Sequence, residues 1–369
     1  MHFAFRADAS IQIGSGHVMR CLTLAEALRN RGHECSFLCR DHPGNLLELI
    51  AQKGFEVHLL KQNVPVDRNT EADTLLAHAG WLGASWQQDA EQTLRALNGK
   101  NIDWLVVDHY ALDARWENRM ASHVKKIMVI DDIADRQHKC NLLLDQNLGR
   151  QAEDYNGLVP EACIRLIGPH YALLRPEFSE LRERSLERRR TPKLKRILIT
   201  LGGIDRDNVT GQVLGALAKS QLPPETELDI VMGASAPALE DVRRKAHSIP
   251  FRTSLSVNVT DMAERMCLAD LCIGAAGSTS WERCCLGLAT ILLVLAENQQ
   301  GGAKALGQAG AALVVYQDDD ISDTLPGLVN KLLVSGESLD IGKMAAAITD
   351  GRGASLVVAA MLECAGGNE

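Results

Sequence analysis

The sequence of 369 residues has few aromatic side chains, 4% of the chain, and no excess of basic charge. Its formal net charge is −8, which argues against a protein whose affinity depends on neutralising nucleic-acid phosphates. No apolar run approaches the roughly 20 residues that span a bilayer, and the N-terminus reads as a strand rather than a signal peptide. We therefore expect a cytoplasmic protein with neither a nucleic-acid nor a membrane partner. We also expect a monomer.

Common metal and nucleophile motifs are also missing. The ten cysteines form no C-x-x-C pair, and their spacings match no zinc or disulfide framework. Most of them lie in apolar segments, where buried reduced thiols are expected. H-E-x-x-H, the P-loop and G-x-S-x-G do not occur. We expect no metal and no other cofactor.

Short apolar runs alternate with helical patterns along most of the chain, which is typical of βαβ units and parallel sheets. A charged stretch, Glu180 to Arg190, separates two such series and is followed by Pro192. We predict an α/β protein with two doubly wound, Rossmann-like domains, residues 1–190 and 191–369, that face a central cleft. A last helix near residues 353–364 is expected to cross back to the first domain.

The most informative stretch is Gly14-Ser15-Gly16-His17, which follows the first strand and opens a helix that runs toward Asn30. Its glycines let a ligand approach the backbone, and a helix start offers unpaired N–H groups and a partial positive charge. His17 lies in the first turn, where the dipole favours a neutral ring that can accept a proton. His17 is therefore a candidate general base. The alternative is a helix-start histidine without a catalytic role.

Polar residues follow several strands of the first domain, where parallel sheets bind ligands. They are Asp8, Asp108, His109, Tyr110 and Asp131. The alternative for each acidic residue is a helix N-cap.

The second domain has two glycine-rich turns suited to phosphate, Gly202-Gly203 and Gly277-Ser278. Glu282 lies in the first turn of the helix after the second of them and can accept hydrogen bonds from a ribose diol, although a first-turn glutamate is also favoured by the dipole alone. Asn298 and Gln299 offer amides for sugar hydroxyl or acetamido groups, or cap a helix. Together these features favour a nucleotide-sugar.

A dinucleotide enzyme is the obvious rival. The Rossmann fingerprint requires glycine or alanine three residues after Gly16, and that position is Met19. The fingerprint therefore fails.

The stretch from Phe5 to Ser10, then Ile13 to His17 and Arg20, resembles the N-terminus of the UDP-sugar hydrolases of pseudaminic acid biosynthesis. The resemblance covers nearly the whole chain, although the segment from Trp81 to Ala90 is not shared by all relatives. Further matches are Asp108 to Tyr110, Tyr155 to Pro160, Tyr171 to Arg175, Leu201 to Asp205, Glu282, and Asn298-Gln299.

This resemblance implies the GT-B fold and hydrolysis of UDP-2,4-diacetamido-2,4,6-trideoxy-β-L-altropyranose by attack of water at the anomeric carbon with inversion. It makes His17 the catalytic histidine. It implies that Asp8, Tyr110 and Asn298 line the sugar site, that Glu282 holds the ribose, and that Gly202-Gly203 lie near the diphosphate. The wider set of expected substrate contacts adds Arg6, Gly14, Gly16, Arg20, Gly277, Ser278 and Gln299.

Three alternatives stay open: hydrolysis of a related UDP-diacetamido sugar, a GT-B glycosyltransferase that passes the sugar to an acceptor hydroxyl, and a nucleotide-sugar binding protein without catalysis. Release of UDP from the donor without an acceptor separates them.

Overall fold

The computed structural model describes residues 1–61, 76–191 and 194–366. The chain divides into two compact units, one formed by Met1–Leu173 with the segment from Arg352 onward, the other by Leu174–Gly351. Pro192 lies outside the described residues. No helix in the described ranges is long and apolar enough to cross a membrane.

The first unit contains a seven-stranded parallel sheet in the order β3-β2-β1-β4-β5-β6-β7. Its elements are β1 His2–Ala7, α1 Gly16–Arg29, β2 Glu34–Arg40, α2 Leu47–Gln52, β3 Glu56–Leu60, α3 Trp86–Leu97, β4 Ile102–Asp108, α4 Ala114–Met120, β5 Val124–Ile130, β6 Leu142–Asp145 and β7 Ile164–Ile167, and the helix Gly353–Gly366 at the end of the chain.

Successive side chains of a strand point to opposite faces of the sheet, so β1 contributes to a separate hydrophobic core on each face. Phe3 and Phe5 of β1 pack in one core with α1 and the C-terminal helix, whereas Ala4 packs in the other with Trp116 of α4. The C-terminal helix starts against residues 171–172, where a Cβ on Gly353 would lie 2.2 Å from the Ala172 carbonyl oxygen. Glycine therefore permits this close approach within the first unit.

The second unit contains a six-stranded parallel sheet in the order β10-β9-β8-β11-β12-β13. Its elements are α5 Pro176–Arg188, β8 Arg196–Thr200, α6 Val209–Leu217, β9 Glu227–Met232, α7 Leu239–Ser248, β10 Arg252–Val257, α8 Met262–Leu268, β11 Leu271–Ala275, α9 Thr279–Cys285, β12 Thr290–Leu293, α10 Gln300–Gln308, β13 Leu313–Val315, α11 Ile321–Ser335 and α12 Glu337–Ala346; the C-terminal helix of the first unit is α13.

The second unit begins earlier than the boundary expected at residues 190 and 191, because α5 packs on it. Arg182 donates to the carbonyls of Ala346 and Thr349 at 2.7 and 3.0 Å, and also to that of Cys285. The Ser185 hydroxyl donates to the Leu286 carbonyl at 2.7 Å. The charged run is therefore a helix whose inner side satisfies carbonyls of the second unit.

Candidate active site

The expected site residues of the first unit gather at the carboxyl edge of its sheet. β1 and β4 are neighbours although two strands lie between them in the chain, so the strand order reverses direction between them. Asp8 follows β1, Asp108 ends β4, and α1 with His17 begins beyond β1. This is the topological switch point, where open parallel sheets bind ligands.

His17 is hydrogen-bonded to a carboxylate that the fold buries completely. Its Nδ1 lies 2.6 Å from Asp108 Oδ1, and the exposed fractions are 8% for His17 and 0% for Asp108. A carboxylate only accepts, so Nδ1 carries the proton and Nε2 of the neutral ring is an acceptor. No described residue is hydrogen-bonded to Nε2. The ring can therefore take a proton from a bound water.

Arg20 holds Asp108 in place from the next turn of α1, three residues after His17 on the same helix face. It donates from Nε and Nη2 to the two carboxylate oxygens at 2.6 and 2.7 Å. Burial raises the pKa of the Asp108 carboxyl, but the charge of Arg20 and the hydrogen bonds from Arg20 and His17 outweigh burial and hold that pKa well below its usual range. Asp108 therefore remains ionised against the imidazole.

Asp132, two residues after β5, joins two expected substrate contacts to each other. Its Oδ2 accepts from Arg20 Nη1 at 2.6 Å and from the Tyr110 hydroxyl at 2.7 Å. Its neighbour Asp131, the acid expected at the site, instead accepts from Arg136 and Tyr155. Asp132 has the same sequence signal as Asp131, an acidic residue that follows a strand, so the sequence did not distinguish the two.

Arg6 and Asp8 do not lie where substrate contacts were expected. Both are 0% exposed, and Arg6 donates to the two Asp8 oxygens at 2.6 and 2.8 Å. Arg6 also binds Asp89 of α3 at 2.7 Å, and Asp89 accepts from Arg40 at 2.6 Å and from Trp116 at 3.0 Å. Arg6, Asp8 and Asp89 are therefore paired with one another below the surface. They support the edge of the sheet from beneath and do not face a ligand. Asp89 was not predicted.

The loop before α1 has the expected glycine conformation at one position. Gly14 has φ 81°, in the region that favours glycine, and its N–H donates to the Ser10 carbonyl at 2.8 Å. Gly16 is the first residue of α1, and the N-cap Ser15 makes no side-chain cap. The first turn of α1 is thus without a side-chain acceptor from its N-cap.

The expected nucleotide residues of the second unit lie at one sheet edge, because β8, β11 and β12 are consecutive strands. Gly202-Gly203 follow β8, Gly277-Ser278 follow β11, and Asn298 and Gln299 lie beyond β12. The structure therefore brings together three segments separated in the chain.

The two glycine turns of this edge differ in how their helices begin. The first N–H groups of α6 already have acceptors, since Asp205 accepts from Val209 and Thr210 at 2.8 and 2.9 Å, and Asn208 accepts from Gly211 at 3.1 Å. The N-cap of α9, Ser278, makes no side-chain cap. The start of α9 therefore lacks the side-chain acceptors found at the start of α6, but the N–H groups of Ser280 and Trp281 already donate to the Gly277 and Ser278 carbonyls at 2.9 and 3.2 Å.

Two residues of this edge were not predicted from the sequence. A Cβ on Gly233, after β9, would lie 2.0 Å from the Gly203 carbonyl oxygen, so only glycine allows the two loops to approach. Arg283 is 1% exposed and donates to the Ala275 carbonyl at 2.8 Å and to the Ser280 hydroxyl at 2.9 Å. These hydrogen bonds hold the second glycine turn and place the positive charge of Arg283 under it. No described carboxylate lies within ion-pair distance of Arg283.

Glu282 lies in the first turn of α9, with Oε1 3.7 Å from Arg175 Nη2. Burial raises the pKa of Glu282 to about 7, with the charges of Arg175 and Arg283 opposing the shift. Its side chain keeps 16% exposure. Its carboxyl group is therefore accessible to a ligand and titrates close to neutrality.

The amide pair beyond β12 divides into two different roles. Asn298 is exposed, whereas the Gln299 Oε1 accepts from the Leu295 N–H at 3.0 Å. Gln299 therefore braces the loop with the carbonyl end of its amide. Within the part of the chain that the structure describes, no group of three His, Cys, Asp or Glu side chains is arranged to hold a metal ion.

The fold defines the class of this protein. Residues 197–352 match the model of the glycosyltransferase family 28 C-terminal domain. The crystal structure of MurG from Acinetobacter baumannii superimposes with a TM-score of 0.70 at 16% identity, over 98% of this chain and 99% of that one. The chain therefore has the GT-B fold that the resemblance implied.

Two curated proteins specify the resemblance further. The UDP-2,4-diacetamido-2,4,6-trideoxy-β-L-altropyranose hydrolase of Campylobacter jejuni is 25% identical over 314 residues, 84% of this chain and 97% of that protein. The spore coat polysaccharide biosynthesis protein SpsG of Bacillus subtilis is 26% identical over 363 residues, 97% of each chain. The resemblance to this group of proteins, predicted from the N-terminal motif, is confirmed.

Proposed function

We propose that the protein is an enzyme that hydrolyses UDP-2,4-diacetamido-2,4,6-trideoxy-β-L-altropyranose to UDP and the free hexose, with inversion at the anomeric carbon. The observation that carries the proposal is the His17–Asp108 pair at the switch point of the first sheet, 2.6 Å between Nδ1 and Oδ1. The relative from Campylobacter jejuni, which is named for this reaction, supports the choice of substrate.

In the proposed reaction, His17 Nε2 accepts a proton from water as the water oxygen bonds to the anomeric carbon. The bond from that carbon to the phosphate oxygen breaks, and its electron pair leaves with UDP. UDP is a good leaving group, so the pair of carboxylic acids found in glycosidases is not required. Asp108 stabilises the imidazolium that forms, as in other carboxylate–histidine pairs.

The UDP part of the donor is assigned to the second unit. Glu282 is proposed to accept hydrogen bonds from the ribose diol, and the Gly202 and Gly277 turns to contact the diphosphate. Arg283, below the Gly277 turn, favours the negative charge that develops on the leaving group. Asn298, which is exposed, is the residue of this unit proposed to reach the sugar.

A glycosyltransferase is the second candidate, favoured by the match of residues 197–352 to the glycosyltransferase family 28 C-terminal domain. A transferase uses an acceptor hydroxyl in place of water, so it requires an acceptor for rapid turnover. Hydrolysis of a related UDP-diacetamido sugar differs from the main proposal only in the donor.

The deciding experiment follows the purified protein and the donor by proton NMR without an acceptor. The hydrolase gives UDP and free hexose, first as the inverted anomer, and His17→Asn lowers turnover at least about a hundredfold with UDP affinity unchanged. Slow release that an added acceptor accelerates would select the transferase. A donor that survives at high protein concentration would reject this substrate, and a panel of related UDP-sugars then identifies the correct one.

A further inference from the structure

Two aromatic side chains, Trp81 and His78, lie in one ring cluster with His17 and Tyr110, and the resemblance assigns neither of them a role. Trp81 belongs to the segment that is not shared by all relatives. Its ring stacks on Tyr110 with centroids 5.7 Å apart and planes at 26°, and it lies edge-on to His17 at 6.5 Å. His78 lies 4.4 Å from Trp81 and 5.4 Å from Tyr110.

The outer members of this cluster are Trp81 and His78. Tyr110 is 8% exposed because the rings of His17, Trp81 and His78 pack around it, and its hydroxyl is bonded to Asp132. Trp81 and His78 are only half-buried. The surface next to His17 is therefore formed by these two rings more than by Tyr110, the residue expected there.

Trp81 is held in place by the residues that follow it. Leu82 is 2% exposed, and Ser85 closes a capping box at the start of α3 with Gln88. One turn further, Asp89 is fully buried and bonded to Arg6 and Arg40. A ring fixed by its own segment loses little freedom when a ligand binds it.

We propose that Trp81 and His78 form a subsite that binds an acetamido group of the sugar, and this inference rests on the proposed function. An acetamido group has an apolar methyl and a carbonyl acceptor. The indole offers a matching pair, an apolar face and an Nε1–H donor, and no described residue is hydrogen-bonded to that donor. Burial lowers the pKa of His78, which favours the neutral form of its ring.

The test compares Trp81→Ala, Trp81→Phe and the control Trp86→Phe, which removes the nearby tryptophan that packs on Arg115. KM for the diacetamido donor should rise at least about tenfold in Trp81→Ala, with kcat changed less than about threefold and UDP affinity unchanged. Trp81→Phe should lie between Trp81→Ala and wild type, because it keeps a ring and loses the donor. Trp86→Phe should match wild type.

A binding measurement keeps the test independent of turnover. In the His17→Asn background, the donor should quench tryptophan fluorescence more than UDP does, and this difference should vanish with Trp81→Phe and persist with Trp86→Phe. UDP-glucose, which has no acetamido group, should bind equally to wild type and Trp81→Ala.

Three results would overturn the inference. An unchanged KM in Trp81→Ala, or a fall in kcat alone, would mean that Trp81 only supports Tyr110. If Trp81→Ala weakened UDP-glucose binding as much as binding of the diacetamido donor, Trp81 would have no preference for the acetamido group. In each case wild-type hydrolysis stands. If wild type neither binds nor hydrolyses the donor, the proposed function fails and the subsite fails with it.

Discussion

Replacing Asp108 with asparagine tests the central pair of the site with little change of shape. The substitution removes the charge that stabilises a His17 imidazolium and places an amide against Arg20, which now contacts both Asp108 oxygens at 2.6 and 2.7 Å. The amide group can turn its N–H₂ toward His17 Nδ1. That hydrogen bond selects the tautomer in which Nε2 carries the proton and cannot act as a base.

The expected loss follows from these two effects. General-base catalysis typically contributes about 10² to 10⁴ in rate, and the equivalent change in serine proteases costs about 10⁴. We expect kcat of Asp108→Asn to fall about 10² to 10⁴-fold. UDP affinity should change less than about threefold, because the groups assigned to UDP lie in the second unit.

The variant also loses stability, and a matched control separates that loss from the chemistry. Removing one partner of a buried ion pair typically costs about 3–5 kcal/mol. Asp229→Asn is the control, since Asp229 is 1% exposed and binds Arg265 at 2.6 Å outside the site. Both variants should unfold at lower temperature, but only Asp108→Asn should lose turnover at a temperature where both are folded. Equal turnover in Asp108→Asn and wild type would refute the role of Asp108.

Three further predictions concern the second unit. Uridine, which has no phosphate of its own to titrate, should bind more weakly as pH falls through about 7, where Glu282 becomes protonated. Calorimetry should show that this pH dependence is flattened in Glu282→Gln. An unchanged pH dependence in that variant would exclude Glu282 as the responsible group. Arg283→Met should weaken UDP about tenfold or more and leave uridine nearly unaffected, because it removes the charge under the Gly277 turn; equal losses for both ligands would point to general damage instead. Gly233→Ala should lower the melting temperature and weaken UDP, because the new Cβ would lie 2.0 Å from the Gly203 carbonyl oxygen, and wild-type behaviour would show that the loops separate freely.

Local patterns predicted the elements well. The helix expected to run from the Gly14 turn toward Asn30 is α1, Gly16–Arg29. Amphipathic spacing and a glycine after the last turn act within a few residues of the chain, so the sequence exposes them directly.

The charged run from Glu180 to Arg190 shows where such patterns stop. The run was expected to separate the two domains. It lies instead within the second unit, where Arg182 and Ser185 donate to carbonyls that lie more than a hundred residues away in the chain. Composition gives the charge of a side chain, whereas the acceptor it meets depends on packing.

The sequence is enough to predict the alternation of strands and helices, the glycine turns, and His17 at a helix start, because each depends on neighbours along the chain. Which carboxylate faces that histidine follows only from the packing of the folded chain. Asp108 is 91 residues from His17, and Asp89 is 83 residues from Arg6. Such pairs form only when the strand order β2-β1-β4 brings distant segments to one edge. The same packing buries Arg6 and Asp8 and places Trp81 beside the histidine. Both features depend on residues that are distant in the chain.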